Sequence, residues 1–281
     1  MSIAAPYAQS RPRLSVLPGF KPALGFTLFY LSVIVLLPLA ALVLRPWELG
    51  LFGAVEVITN PRVLSALRVS FGIAALAALI NCVFGFIVAW VMVRYSFPGK
   101  AQLDALIDLP FALPTAVAGI ALTALYAPNG WVGSLFAPFG LQIAYTPLGI
   151  LVALTFVGLP FIVRTLQPVL IELNRENEEA AATLGATRMQ TFTRVLMPAI
   201  LPPLMTGTGL AFARAVGEYG SVIFIAGNIP MVSEIAPLLI VVRLEQFDYA
   251  GAAAIGLTML AGSFLVLFAI NLLQAWIAKR Q

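Results

Sequence analysis

The chain of 281 residues is 61% hydrophobic and 10% charged, with a mean hydropathy of +0.99. Ordinary soluble domains carry about 25% charge; 16 basic and 12 acidic residues cannot coat a water-soluble globule of this length, so the composition describes a polytopic membrane protein. The absence of histidine excludes a His-ligated metal, a Ser–His pair and a histidine proton relay, the single Cys82 excludes an intrachain disulfide or a cysteine cluster, and the net charge of +4 reports orientation in a membrane rather than nucleic-acid binding.

A bilayer core about 30 Å thick needs roughly 20 apolar residues per helix. In chain order, residues 23–44 are uncharged for 22 positions, 69–93 for 25, and 109–163 for 55. The last run is long enough for two spans around a turn marked by Pro128, Asn129, Gly130, Gly133, Pro138 and Gly140. Residues 195–213 are uncharged for 19 positions, the apolar run resumes after Arg214 and Glu218, and 249–278 adds 30 more. The expected fold is all-α, one transmembrane domain over 1–281 with six helices at 23–44, 66–93, 107–127, 145–163, 203–226 and 252–277. The first of these is too long for the apolar region of a signal peptide and runs into Arg45-Pro46-Trp47-Glu48 rather than a small-residue cleavage site, so it is expected to be retained.

Six spans put both termini on one side. With the tail 1–22 inside, 11 basic residues are cytoplasmic and four external, Arg214 lying within a span, which satisfies the positive-inside rule and makes segment 167–200 a cytoplasmic loop. The third and fifth spans carry Pro110, Pro114 and Gly119, then Pro202, Pro203, Gly207, Gly209 and Gly217. Broken backbone at membrane depth is tolerated where protein or a water-filled cavity satisfies the freed groups. These residues either line a path or allow helices to pack closely.

The longest charged stretch runs from Glu172 to Arg194 and reads as helix, turn, helix. Asn174 is placed to cap the first helix, with Glu176, Glu178 and Glu179 near its positive end. Gly185 stops it in a left-handed conformation. Thr187 and Gln190 form a capping box for a second short helix, Phe192, Val195 and Leu196 share one face of it, and Pro198 marks its end. Such a knob on the cytoplasmic face suits docking into a groove on another protein; a solvated connecting loop is the alternative.

Glu179-Ala180-Ala181, three residues, Gly185, nine residues, then Val195-Leu196-Met197-Pro198 resembles the EAA loop of bacterial ABC-importer permeases, with Val195 in place of Ile and Met197 in place of Leu. The resemblance implies coupling helices that sit in a cleft of a cytoplasmic ATPase, with Glu179, Ala180, Ala181, Gly185 and Ala186 at the contact and Phe192, Val195 and Pro198 supporting it. The chain has no G-x-x-x-x-G-K-[ST] phosphate loop, so no cofactor is expected on it; ATP and magnesium belong to the partner ATPase.

The stretch Ala213 to Pro230 resembles permeases for tetrahedral oxyanions, and Gly227-Asn228-Ile229-Pro230 with Val242 to Tyr249 is similar to the T-type sulfate/thiosulfate branch. That resemblance implies a bacterial inner-membrane protein that forms half of a sulfate or thiosulfate path. It implies a related second permease, two ATPase copies and an extracytoplasmic binding protein as partners, in a lipid bilayer and without nucleic acid. Arg214, Glu218, Tyr219, Gly220, Ser221 and Asn228 are the candidate path residues. Arg214 and Glu218, at i and i+4, either form an internal or subunit-interface ion pair or lend charge to the path. A molybdate or tungstate permease is the nearest alternative. A secondary transporter would need internal repeats and buried carboxylates, of which only Glu218 qualifies. An embedded enzyme lacks a paired-carboxylate or nucleophile site; Asp104 and Asp108, at i and i+4, read as interfacial.

Overall fold

A computed structural model describes residues 19–173 and 175–278, in which every regular element is helical. The expected Asn174 cap and the termini that carry Arg11, Arg13, Lys279 and Arg280 lie outside these residues. The described chain divides into two compact units after Leu44.

The first unit is α1 (Phe20–Leu31) and α2 (Leu37–Leu44), joined through a single π turn at Ser32–Leu36 and without a buried residue. The Leu37 N–H reaches back five residues to Ser32 O, and Pro38 follows at once. A proline clashes with the carbonyl four residues before it, and the wider π turn moves that carbonyl away.

The second unit begins with a 3-10 turn at Arg45–Leu49 and α3 (Gly50–Thr59). Asn60 then caps α4 (Pro61–Arg94), accepting from Arg62 N at 3.0 Å, with Pro61 in the first turn where its missing N–H costs nothing. Next come α5 (Lys100–Ile107), α6 (Leu109–Ala112), α7 (Thr115–Tyr126) and α8 (Gly133–Phe136). Thr146 caps α9 (Pro147–Glu172) in the same way as Asn60 caps α4, and α10 (Arg175–Thr183) follows. The chain ends with α11 (Arg188–Thr191), α12 (Met197–Val216), α13 (Val222–Ile225), α14 (Ala236–Glu245) and α15 (Tyr249–Ala278).

The centre is a three-helix crossing of α4, α9 and α12, made close by small residues. A Cβ on Gly85 of α4 would meet the Ile162 side chain of α9 at 2.9 Å, and one on Gly207 of α12 would meet Ile162 Cα at 3.1 Å. Asn81, fully buried on α4, donates from Nδ2 to Thr155 O of α9 at 3.0 Å beside Gly158, while its Oδ1 has no hydrogen-bond partner.

Among the described residues five helical runs are long and apolar enough to cross a membrane: Phe20–Thr59, Pro61–Arg94, Pro147–Glu172, Arg188–Val216 and Tyr249–Ile277. The expected third span, 107–127, is instead interrupted at Asp108 and at Leu113-Pro114, leaving only the 12 residues of α7. At 1.5 Å per residue α7 rises about 18 Å, too short to cross alone. The expected fifth span, 203–226, is displaced. The helix runs unbroken through Pro202 and Pro203 but ends at Val216, and 222–225 is a separate turn of helix. Helix α14 lies between the expected fifth and sixth spans.

Candidate functional site

The segment 175–197 forms the expected helical hairpin, with the end of its first arm and the start of its second closed locally. At the end of α10, Gly185 adopts φ +81° with nothing within 4 Å of where a Cβ would stand, so backbone conformation rather than crowding selects glycine. Ala186 N–H bonds Ala181 O and Gly185 N–H bonds Ala182 O, both at 3.0 Å, which is a Schellman ending. Alanine at 181 and 186 therefore sits on either side of that closure, each half-buried. Thr187 then opens α11 with a complete capping box: Gln190 N–H donates to Thr187 Oγ1 at 3.3 Å and Thr187 N–H to Gln190 Oε1 at 2.8 Å. Glu179, Ala180 and Gly185 are exposed, and Leu184 is 88% and Met189 70% accessible at the tip.

The second arm does not end at Pro198. It passes through a π turn, Phe192–Leu196, into α12, with Met197 N–H donating to Phe192 O, the same accommodation seen before Pro38. Val195 and Pro198 are half-buried in this continuous helix. The hairpin is thus a direct extension of the helix that crosses the bundle.

Helix α4 also holds the hairpin. Phe86, Trp90 and Arg94 form one stripe at i, i+4 and i+8 near its end. Phe192 packs edge-on to Trp90 at 6.0 Å between centroids and lies 6.5 Å from Phe86. The Arg94 guanidinium lies 5.1 Å over the Trp90 ring, and its Nη1 is 2.7 Å from Oε1 of Glu178 on α10. That contact is close but off-axis, so Glu178 Oε1 accepts no aligned hydrogen bond; Arg94 Nε and Nη2 are buried and equally without acceptors. A second ionic knot lies at the same end. Arg164 of α9 donates to both oxygens of Asp108 at 2.7 and 2.6 Å and to Asp104 Oδ1 at 2.8 Å. Asp104 and Asp108 are therefore ion-paired to a membrane helix rather than merely interfacial. Hydrogen bonds from Arg164, then from Gln167, hold the Asp104 carboxyl below the usual carboxylate range.

At the opposite end of α12 the chain is stiffened from inside. Arg214 pairs with Glu218, whose carboxylate is buried. Glu218 Oε1 also accepts from Ser221 N and Ser221 Oγ, each at 2.9 Å. These bonds turn the chain after Val216 and set Val222 on a new helical turn. Two glycines let α7 pack on this turn: a Cβ on Gly119 would strike the Ser221 backbone, and one on Gly220 would strike Thr115 Oγ1. Tyr219 is half-buried against the core. Asn228, at φ +53°, donates to Ile223 O at 2.8 Å and leaves Oδ1 without a partner. The structure thus gathers Arg214, Glu218, Gly220 and Ser221 where the broken third span restarts at Thr115. Among the described residues no three of His, Cys, Asp and Glu meet as metal ligands.

Sequence reasoning read Glu178 only as a charge near the start of the first hairpin helix, not as the glutamate that reaches α4, and gave Trp90, Arg94 and Thr115 no part in the site. The i, i+4, i+8 aromatic and cationic stripe at the end of α4 was the available signal.

The model of one protein family, described as "Binding-protein-dependent transport system inner membrane component", matches residues 81–281. A sulfate transport system permease protein CysT of Salmonella typhimurium is 50% identical over 265 residues, covering 94% of this chain and 96% of that protein. The protein of the same name from Synechocystis is 55% identical over 250 residues, 89% of this chain and 87% of the relative. Among solved structures, a bacterial ABC transporter that imports the acidic polysaccharide alginate superposes with a TM-score of 0.75 at 15% identity over 92% of this chain and 95% of that one. The inward-facing methionine transporter MetNI gives a TM-score of 0.59 at 17% identity over 77% and 96%. These two likenesses are of fold.

Proposed function

The chain belongs to the family of binding-protein-dependent transport system inner membrane components, and from that premise we propose that it is the permease subunit of an ATP-driven importer of sulfate. It is a multi-pass inner-membrane protein. The observation that carries the mechanism is the hairpin, whose turn is closed by a Schellman ending and a capping box, leaving an apolar tip at Leu184 and Met189 open to a partner.

The partner is a separate ATPase, because this chain carries no phosphate loop. Two copies, loaded with ATP and magnesium, grip this hairpin and its counterpart on a second, related permease. The hairpin end is cytoplasmic: Arg94, Lys100, Arg164, Arg188 and Arg194 cluster there, as the positive-inside rule requires. An extracytoplasmic binding protein delivers the anion at the other end. Closure of the ATPases draws the hairpins together and tilts α9 and α12, which are continuous or nearly so with the hairpin arms, so that the path opens outward; hydrolysis resets it inward.

The anion then meets Arg214 at the restart of the third span. Its side chain is about a third accessible while its partner carboxylate is buried, which supports Arg214 as the member of the pair that a passing anion meets. A dianion passing the accessible Arg214 guanidinium gains favourable field without a deep site. The test is uptake of labelled sulfate by proteoliposomes holding the full complex, challenged with thiosulfate and molybdate. ATP-dependent sulfate uptake that molybdate does not displace supports the reading. Uptake without ATP, or preference for molybdate, overturns it.

A further inference from the structure

We propose that helix α4 is a separate drive rod of the transporter, latched to the coupling hairpin by Arg94, Trp90, Phe192 and Glu178, and that this latch stays closed as the hairpin moves. The proposal rests on the importer reading above. It concerns a helix that, unlike α9 and α12, has no chain connection to the hairpin.

The argument begins with the charge. The Arg94 side chain is 12% exposed, and two of its nitrogens are buried without hydrogen-bond acceptors among the described residues. A buried guanidinium is costly unless it is compensated. Here the compensation is Glu178 at 2.7 Å and the Trp90 ring face at 5.1 Å. Pulling α10 away from α4 would break the ion pair and leave Arg94 only the Trp90 ring as a partner. Separation of the two elements is therefore opposed by charge as well as by packing.

The second arm is held by different chemistry. Phe192, in the π turn, packs edge-on to Trp90 and beside Phe86. One stripe on α4 thus grips both arms of the hairpin, the first through charge and the second through aromatic rings. A push on the hairpin reaches α4 from two directions.

The far end of α4 is equally tethered. Arg62 makes a two-pronged bond to the buried Glu234, at 2.8 and 2.7 Å, and Ser70 Oγ accepts from Ala236 N at 2.9 Å. The segment so held leads back to the Glu218–Ser221 turn. Helix α4, 34 residues and about 50 Å long, therefore joins the hairpin at one end to the segment that follows the path turn at the other.

The test separates coupling from folding. In proteoliposomes with both permeases, the ATPase and the binding protein, ATP hydrolysed per sulfate imported is measured for wild type, Arg94→Ala, Glu178→Gln and the charge swap Arg94→Glu/Glu178→Arg. The single variants are expected to keep hydrolysis but raise the ratio roughly two- to thirtyfold, the span of measured effects along coupled networks, and the swap to bring it down again. Glu178→Gln preserves shape and reads the latch even where Arg94→Ala fails to accumulate. In a Cys82→Ser background, the Arg94→Cys/Glu178→Cys variant is then joined by a short bismaleimide, which is expected to restore coupling. Unchanged ratios, or a crosslink that arrests transport because the elements must part, overturn the latch. Wild-type vesicles that import no sulfate overturn the importer reading instead.

Discussion

The two ends of the helix Arg188–Val216 are stiffened in opposite ways. At the hairpin, rigidity comes from the backbone: a left-handed Gly185, a Schellman closure and a capping box, all satisfied within a dozen residues. At the Gly217–Ser221 turn it comes from a buried carboxylate that holds a guanidinium, an amide and a hydroxyl at once. A surface stiffened by its own backbone keeps its side chains available to a partner. A turn stiffened by a buried charge becomes part of the core and is exposed only where its cation points outward. The first arrangement suits a handle, the second a fixed wall of a path.

The comparison breaks most visibly at Glu218. Glu218→Leu leaves Arg214 and the two buried Ser221 donors without their acceptor, and a buried donor left unsatisfied costs about 1–3 kcal/mol; a marked fall in melting temperature in detergent is expected. The double variant Arg214→Leu/Glu218→Leu is expected to regain only the part due to the unpaired Arg214, because the buried Ser221 N–H and hydroxyl still lack their acceptor. Its sulfate uptake is expected to stay low. Normal uptake by a stable double variant would make the pair purely structural.

The hairpin is expected to respond in the converse manner. Gly185→Val forces a β-branched residue into a left-handed conformation, at about 1–2 kcal/mol, in a place where nothing crowds it. Co-purification of the ATPase should fall while the melting temperature of the membrane bundle stays unchanged. Thr187→Ala removes one half of the capping box, for about 1 kcal/mol, and should weaken ATPase retention less than Gly185→Val does. An equal loss of bundle stability in either variant would show that the hairpin is not mechanically separate.

Much of the hairpin was legible because its determinants are local. Gly185, Thr187 and Gln190 act within four residues of themselves, so spacing alone identifies them. The far end was not legible in the same way. Hydropathy carries 203–226 as one apolar run, because Val222 to Ala226 are as apolar as a span; the helix stops at Val216 because Glu218 folds back on Ser221, a choice made by three-dimensional burial. The interruptions at Pro110 and Pro114 did point to a broken third span, but its contact with Gly220 and Ser221 depends on residues a hundred positions away. Likewise, the EAA pattern draws attention to Glu179, whereas Glu178 meets Arg94 because of where α4 ends.

The smallest expected effect concerns Asp104. Its carboxyl is held below the usual range by hydrogen bonds from Arg164 and Gln167, so the tether of α5 to α9 is fully present above the ordinary aspartate value of about 3.9. It is lost only as pH falls through the lowered value. Because the group is partly exposed, the effect is slight: Asp104→Asn should lower the melting temperature modestly and equally from pH 5 to pH 8, with the difference from wild type vanishing only in strong acid. A difference that changed near neutrality would assign the titration to another group.

The most direct measurement places a photo-crosslinking residue at Leu184, at the hairpin tip, and in a parallel sample at Trp131, which is 88% exposed in the turn after α7. In membranes holding the assembled complex, the account predicts that Leu184 captures the ATP-hydrolysing chain and Trp131 does not. Capture of that chain from Trp131, or from neither position, would contradict it.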